Sequence, residues 1–535
     1  MKHLQVALGL DFGTEAVRAL VVDLGGRELA SAAIPYAHRQ ITHRLPGSQR
    51  ALPAKFALQH PADWLESAAQ AVIAARQQAG ICADSVIGIG IDFTSCTVLP
   101  TTIDGTPLCV LEQFADEPMA WAKLWKHHGA QSQADRLNRI AHERKESFLA
   151  RYGGTISLEW LFPKLLETLE CAPQIYHAAD LFLEAGDWVV WQLVGTPRTV
   201  PRSTCQAGYK ALWSVADGYP SDEYFAAAHP DFSDVVSRKL SGDLLAPGTS
   251  AGGLAAGFAE RLDLRTGTPV SAAIIDAHAG VPGAGAAEPG ALVMVLGTSS
   301  CHMVNSRSER HVPGVAGVVR DGILPGFYGY ETGQAAVGDA FAWLQQLTGT
   351  SRLSQLGDEA LGLPAGADGV RCVDWFHGCR TPLMNDRLRG SFSGLRLHHR
   401  PAHLYRALLE ATAMGVKWIA DALRDGGVLV EQFIATGGLP HHHPELMQVY
   451  ADVLGESIVV HPSRHGPALG AAVLGALAAG AFDSPQAAIE AMSAPPLKAA
   501  SVYEPNQQLD GVYDAVYADY RRACQFEADS QSREL

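Results

Sequence analysis

The chain has 535 residues and a formal net charge of −15; 47% of its residues are hydrophobic, 18% are charged and 53 are glycines. This composition excludes a disordered, collagenous or coiled-coil chain, and at roughly 100–200 residues per domain the length suits at least two domains. The acidic balance repels phosphate backbones and speaks against non-specific nucleic-acid binding, leaving a small anionic ligand only through a locally neutral or metal-assisted pocket.

From the N-terminus, the apolar runs Val6 to Leu10 and Val17 to Asp23 predict two strands around the turn Asp11-Phe-Gly-Thr-Glu15. The first run is broken by Asp11 and is too short for a signal peptide. Pro61 to Gly80 has helical periodicity and precedes a buried strand, Val86 to Ile91, which leads into Asp92-Phe-Thr-Ser-Cys-Thr97. Residues 114–213, rich in Trp, Lys and His, depart from this alternation and are expected to form an insertion that covers a cleft. Ser241 to Gly253 is rich in Gly, Ser and Pro, and Val270 to Ile275 reads as a fresh strand. Together they place a boundary near 245–268, dividing the chain into domains 1–255 and 256–535. Ala291 to Leu296, the turn Gly297-Thr-Ser-Ser300 and Cys301 to Val304 then repeat the first hairpin, which suggests a duplicated fold. A helix at His403 to Leu423 precedes a strand at Phe433 to Ala435, and a helix at Pro444 to Leu454 precedes one at Ile458 to Val460. Strands alternating with helices predict α/β layers. The uncharged run 467–482 spans 16 residues, short of the ~20 that cross a bilayer, and reads as a buried helix packed through small faces. Nine cysteines, an odd number with no C-x-x-C pair, read as reduced thiols in a cytoplasmic protein.

Three glycine turns carry chemistry. In the first, Gly13 admits an anion close to the backbone, Thr14 offers a hydroxyl, and Asp11 can hold Mg²⁺ through water. Gly297 and Thr298 offer a partner turn, and the two together point to a nucleotide clamped between two domains, although each alone is also an ordinary strand turn. Thr436-Gly437-Gly438 lets an adenosine lie flat against the backbone, and a plain βα loop fits that segment equally well. His441, His442 and His443 share one short loop and would need distant partners to bind zinc. Asp276 ends a strand before Ala277-His-Ala-Gly280, where a helix N-cap is the simplest reading.

Gly9-Leu-Asp-Phe-Gly-Thr14, Ile275-Asp-Ala-His-Ala-Gly280, Leu296-Gly-Thr-Ser299 and Thr436-Gly-Gly438 together resemble the FGGY carbohydrate kinases. Gly390-Ser-Phe-Ser-Gly-Leu395, followed after seven residues by His403-Leu-Tyr-Arg-Ala-Leu-Leu-Glu410, resembles the second signature of that family, with Leu408 the one misfit. The first signature fits only at Pro163-Lys164-Leu165, with Glu167 where a Trp is usual, and no role follows from it. The resemblance implies an α/β fold of two ribonuclease H-like domains facing a central cleft, as in the actin/Hsp70/sugar-kinase superfamily. Longer strings resemble the branch of the family that phosphorylates L-ribulose. They are Leu124-Trp-Lys-His-His128, Tyr152-Gly-Gly154, Glu159-Trp160, Asp187-Trp188, Cys205 to Lys210, Gly326 to Gly333, Asp374 to Gly378 and Arg380-Thr-Pro382.

The resemblance implies ATP and L-ribulose as substrates, Mg²⁺ as cofactor, no nucleic acid, no membrane, and a homodimer at most. It makes Asp276 the general base, Ser95, Cys96, Lys210 and Glu331 sugar ligands, and Gly13, Thr14, Gly297, Thr298, Gly437 and Gly438 nucleotide ligands, with Asp11 at the metal. His442-His443 stand where relatives often carry Lys-Asn, so the backbone of Gly437 and Gly438 is the expected adenosine contact. Another pentulose or pentitol as substrate, a non-catalytic sensor and a chaperone-like ATPase remain open on sequence. An acidic protein must neutralise the nucleotide locally, and Mg²⁺, backbone N–H groups and Lys210 are the expected means. Part of the glycine excess is thereby assigned to the three nucleotide turns.

Overall fold

A computed structural model describes residues 4–195, 199–494 and 500–531. Two open, mixed sheets organise the chain. In the first, strand Val6–Phe12 pairs antiparallel with Ala16–Asp23, which pairs with Glu28–Pro35, and on its other side runs parallel to Val86–Phe93. In the second, Gly290–Leu296 pairs antiparallel with Ser300–Ser306, which pairs with Tyr328–Gln334, and on its other side runs parallel to Val430–Thr436. The same arrangement recurs because each half begins with the same apolar hairpin, and a parallel partner needs a crossover through a helix. In the first half Pro61–Ala79 is that crossover helix, capped at its start by His60 and ended by Gly80 in the left-handed conformation. In the second half, Pro401–Asp425 lies between the antiparallel meander and Val430–Thr436. The expected hairpins, α/β layers and duplication are all present.

Two expectations change. The strands near 270–275 do not open the second half: Pro269–Ser271 and Ile274–Ile275 both run parallel to Val86–Phe93 in the first sheet, and Ser250–Gly253 closes that sheet's edge. The chain leaves the first sheet only at helix Asp276–Gly283, because the edge positions beside Val86–Phe93 need a partner from beyond the Gly/Ser/Pro-rich segment. Residues 114–213 are likewise not a free-standing insertion. Helices Gln131–Arg144 and Leu161–Cys171 do share a core of their own around Leu137, Phe162 and Leu165. However, Leu181–Glu184 pairs with Val98–Thr101, and Trp188, Val189 and Trp191 join the core of the first sheet. A strand of four residues shows no period of its own, and only its distant partner reveals it.

The small-residue run is the buried helix Gly466–Ala478. It lies against Val6–Phe12 and Val86–Phe93 of the first sheet and crosses Asp276–Gly283. A Cβ on Gly9 would overlap the Ala468 carbonyl, one on Gly90 the Ala471 carbonyl, and one on Gly470 the Ala279 carbonyl. Backbones this close admit only glycine, so much of the glycine excess belongs to the joint between the halves rather than to the three glycine turns. Among the described residues no helix is long and apolar enough to cross a membrane, and all nine cysteines are free.

Candidate active site

The three glycine turns sit at the carboxyl ends of strands, the edge of an α/β sheet where ligands bind. The Gly13 N–H donates to the Ala16 carbonyl at 3.0 Å, and the Gly297 N–H donates to the Ser299 carbonyl at 3.0 Å. Neither glycine is required by the fold: both lie outside the left-handed region, and a Cβ would meet no atom closer than 3.4 Å at Gly13 or 3.6 Å at Gly297. The bare backbone therefore suits something outside the chain that must come close. Thr14 is held from two sides, its carbonyl accepting from Gln59 Nε2 at 2.8 Å and its hydroxyl from Trp125 Nε1 at 3.1 Å. Thr298 keeps its carbonyl on the N–H groups of Val337 and Asp339, at the start of helix Gly338–Thr348. Replacing Gly297 by Ala should leave thermal stability unchanged and weaken ADP binding by at least about tenfold, or 1.4 kcal/mol. Calorimetric titration reads this directly, and undiminished ADP affinity would remove the turn from the phosphate site.

Gly437 differs from these two. Its φ is +95°, and a Cβ there would meet the Leu296 carbonyl at 2.5 Å. The third turn thus backs directly onto the second, and Gly438 beside it is open. His441 Nε2 lies 3.2 Å from the Ser463 carbonyl, His443 Nδ1 lies 3.1 Å from Glu445 Oε1, and His442 is exposed. The triplet is spent on local contacts.

Three carboxylates, Asp11, Asp92 and Asp276, lie close enough to act on one another. Asp11 and Asp92 are register partners on neighbouring parallel strands and so project to the same side. Asp11 Oδ2 accepts from Arg18 Nη1 at 3.0 Å. Asp92 is fully buried, and apart from its side-chain interaction with Asp11 neither carboxyl oxygen has a partner. Burial, and then the charges of Asp11 and Asp276, push its carboxyl well above the ordinary range. An unsatisfied buried carboxylate beside a second one suits a hard divalent cation with oxygen ligands. Asp276 opens helix Asp276–Gly283 and accepts from its neighbour, the Ala277 N–H, through Oδ1 at 2.7 Å. The N-cap is Ile275, without a side-chain cap bond, so Asp276 is the first helical residue and the capping reading does not hold. Burial raises the Asp276 carboxyl to about 7, against the Ala277 N–H, which lowers it; Asp11 raises it further, and Lys210 and Glu331 also act on it. A carboxylate poised near neutral pH is suited to accept a proton.

On the other side of Asp276, Lys210 Nζ donates to both oxygens of Glu331, at 2.8 and 2.7 Å, and both residues are buried. Burial raises the Glu331 carboxyl, but the Lys210 ammonium, with His278 after it, overrides this and holds it far below the usual range. His278 Nε2 lies 3.3 Å from Glu331 Oε2 without hydrogen-bond alignment. Each Glu331 oxygen keeps a lone pair for a hydroxyl. Ser95 is partly exposed and Cys96 buried in the loop after Val86–Phe93, with Cys96 left-handed at φ +59°. Burial pushes the Cys96 thiol to about 12, so it stays protonated.

Sequence reasoning missed several residues here. Lys164, from the poorly matching signature, is fully buried and donates to the carbonyls of Cys96 at 2.6 Å and Leu124 at 2.9 Å, fixing the Cys96 loop. The misfit Glu167 is equally buried and pairs with Lys123 and His127, each at 2.9 Å. His127 belongs to the matching string Leu124 to His128, so the departure at Glu167 finds its partner in a segment that keeps the resemblance. Asp92 was visible as a lone charge inside an apolar strand, a signal that was passed over. Trp125 gave none.

Residues 6–283 match the N-terminal domain of the FGGY family of carbohydrate kinases, and residues 292–479 match its C-terminal domain. The chain is 47% identical over 532 residues to the ribulokinase of Shouchella clausii, covering 96% of this chain and 94% of that protein. It is 43% identical over 531 residues to the ribulokinase of Mycolicibacterium smegmatis, covering 96% and 92%. Among solved structures, xylulose kinase from Rhodospirillum rubrum superposes with a TM-score of 0.80 at 24% identity, covering 99% of this chain and 100% of that one. Plasmodium falciparum glycerol kinase with ADP gives 0.77 at 16%, covering 97% and 98%.

Proposed function

The chain belongs to the FGGY family of carbohydrate kinases, and from that premise we propose that it transfers the γ-phosphoryl group of ATP to L-ribulose, giving ADP and L-ribulose 5-phosphate in L-arabinose breakdown. It is an ATP-dependent sugar kinase. The observation that carries the proposed chemistry is the place of Asp276, a partly exposed carboxylate raised to about 7 and acted on by both Asp11 and the Lys210–Glu331 pair. For the sugar, the support is identity of 42–47% to curated ribulokinases over nearly the whole chain.

In this reading the backbone of Gly13, Thr14, Gly297 and Thr298 cradles the phosphates, and Gly437 and Gly438 lie along the adenosine. Ser95, Cys96, Lys210 and Glu331 hold the sugar hydroxyls. Asp276 takes the proton of the attacking hydroxyl while the sugar oxygen–phosphorus bond forms and the bond from phosphorus to the ADP oxygen breaks. Asp11 and Asp92 would hold Mg²⁺, which when bound neutralises charge on the β- and γ-phosphate oxygens. Closure of the halves excludes water, the competing acceptor. We place the enzyme in the cytoplasm, with a homodimer as its largest assembly.

ADP release with L-ribulose, D-ribulose, ribitol, D-xylulose and glycerol tests the reading. Release only with L-ribulose is expected. No release above the sugar-free blank would sink the kinase reading, and preference for another sugar would sink the substrate.

A further inference from the structure

A cleft that accepts a highly charged nucleotide in an acidic protein needs a cation of its own. Lys210, the expected candidate, is already compensated by both oxygens of Glu331. Arg18 is engaged by Asp11, and Lys164 by two carbonyls. Arg380 is different. Its Nη1–H donates to Cys301 Sγ at 3.6 Å, and among the described residues it has no direct carboxylate partner.

The location of this guanidinium is well defined. Cys301 follows the turn Gly297 to Ser300 on strand Ser300–Ser306 and pairs with Gly333, while Met303, two residues on and on the same face, pairs with Glu331. The Arg380 contact therefore lies on one sheet face, between the sugar ligand Glu331 and the second phosphate turn. Thr381 fixes the segment there: its N–H donates to the Gly333 carbonyl at 3.1 Å, and its hydroxyl accepts from the Gly333 N–H at 3.3 Å. Arg380 is partly buried, and Glu159 and Glu331 act on it without a direct hydrogen bond, so most of its N–H groups are left to grip an anion. Its planar fork matches the oxygens of a phosphoryl group.

We propose that Arg380 is a further catalytic residue, which grips the phosphoryl group in transit from ATP and then holds it as the phosphate of the product. This rests on the kinase reading above. No bond is made to Arg380: the sugar oxygen–phosphorus bond forms, the bond to the ADP oxygen breaks, and the proton goes to Asp276.

The test compares native protein with Arg380→Ala and Arg380→Lys. In Arg380→Ala, kcat should fall about 10²–10³-fold, while KM for L-ribulose changes by less than about threefold. The dissociation constant of L-ribulose 5-phosphate should rise by about tenfold or more, and added guanidinium should restore part of the turnover. Arg380→Lys, which keeps the charge without the fork, should fall between the two and serves alone if the alanine variant does not fold. Turnover near native in both variants overturns the proposal. So does a loss of kcat with unchanged product affinity and no rescue, since that assigns a structural role. A native protein that phosphorylates no sugar overturns the kinase reading instead.

Discussion

Asp276→Asn is expected to lose sugar phosphorylation by 10²–10⁴-fold, the contribution of a positioned base, equivalent to about 3–5 kcal/mol of barrier. ADP affinity should stay near native, because the turns at Gly13 and Gly297, proposed to cradle phosphate, do not depend on that carboxylate. The pH profile supplies a second readout. Burial raises the Asp276 carboxyl to about 7, so the free protein holds the proton below that pH and cannot accept another. In the native enzyme kcat/KM should therefore rise with pH up to about 7 and then level off. A divalent cation at the proposed Asp11 site should move the limb lower, because a cation favours the ionised carboxylate. The residual activity of the Asn variant should lack this limb. Normal turnover in the variant would remove Asp276 from the role of base.

Glu331→Ala should destabilise the fold by about 3–5 kcal/mol, because it leaves the Lys210 ammonium buried without its partner. Sugar affinity should fall with it, while ADP affinity should not. Removing both charges, as in Lys210→Met with Glu331→Leu, should recover most of the stability and none of the sugar binding. The pH dependence has a definite sign. Lys210 and His278 hold the Glu331 carboxyl below its unfolded value despite burial. The pair's contribution is therefore complete above the ordinary carboxylate range near pH 4.3, and is lost as pH falls below it. Urea unfolding of native and variant proteins at pH 7, and again from about pH 5 down to about pH 2, measures both effects. Equal stability at pH 7 would show that the pair contributes nothing.

The glycine turns were legible because each follows an apolar strand, and a turn between β residues announces itself in two or three letters. Lys210 and Glu331 were legible only through family resemblance, and their pairing with each other was not legible at all. Asp92 shows why. In the sequence it is one acidic residue in Val86–Phe93; its importance comes from register with Asp11, which no local pattern encodes. Lys164 lay in a segment that matched its signature badly, since the compensating contacts of Glu167 come from Lys123 and His127 in another part of the chain. Arg380 lies within a recognisable string, yet the absence of a direct carboxylate partner among the described residues is a property of everything that surrounds it.

The sequence by itself determined the α/β class, the repeated hairpin, the three glycine turns and the small-residue helix, because each is written in the spacing of neighbouring residues. Only the tertiary structure decided where the first half ends, since the strands at 269–275 join whichever sheet edge is free, and why so many glycines are present. Gly9, Gly90 and Gly470 are needed where a helix from one half meets the sheet of the other and crosses the helix at Asp276–Gly283. It also decided which charges are spent and which are free. A charge acts over a few ångströms of space, and in this cleft those few ångströms join residues that lie far apart in the chain.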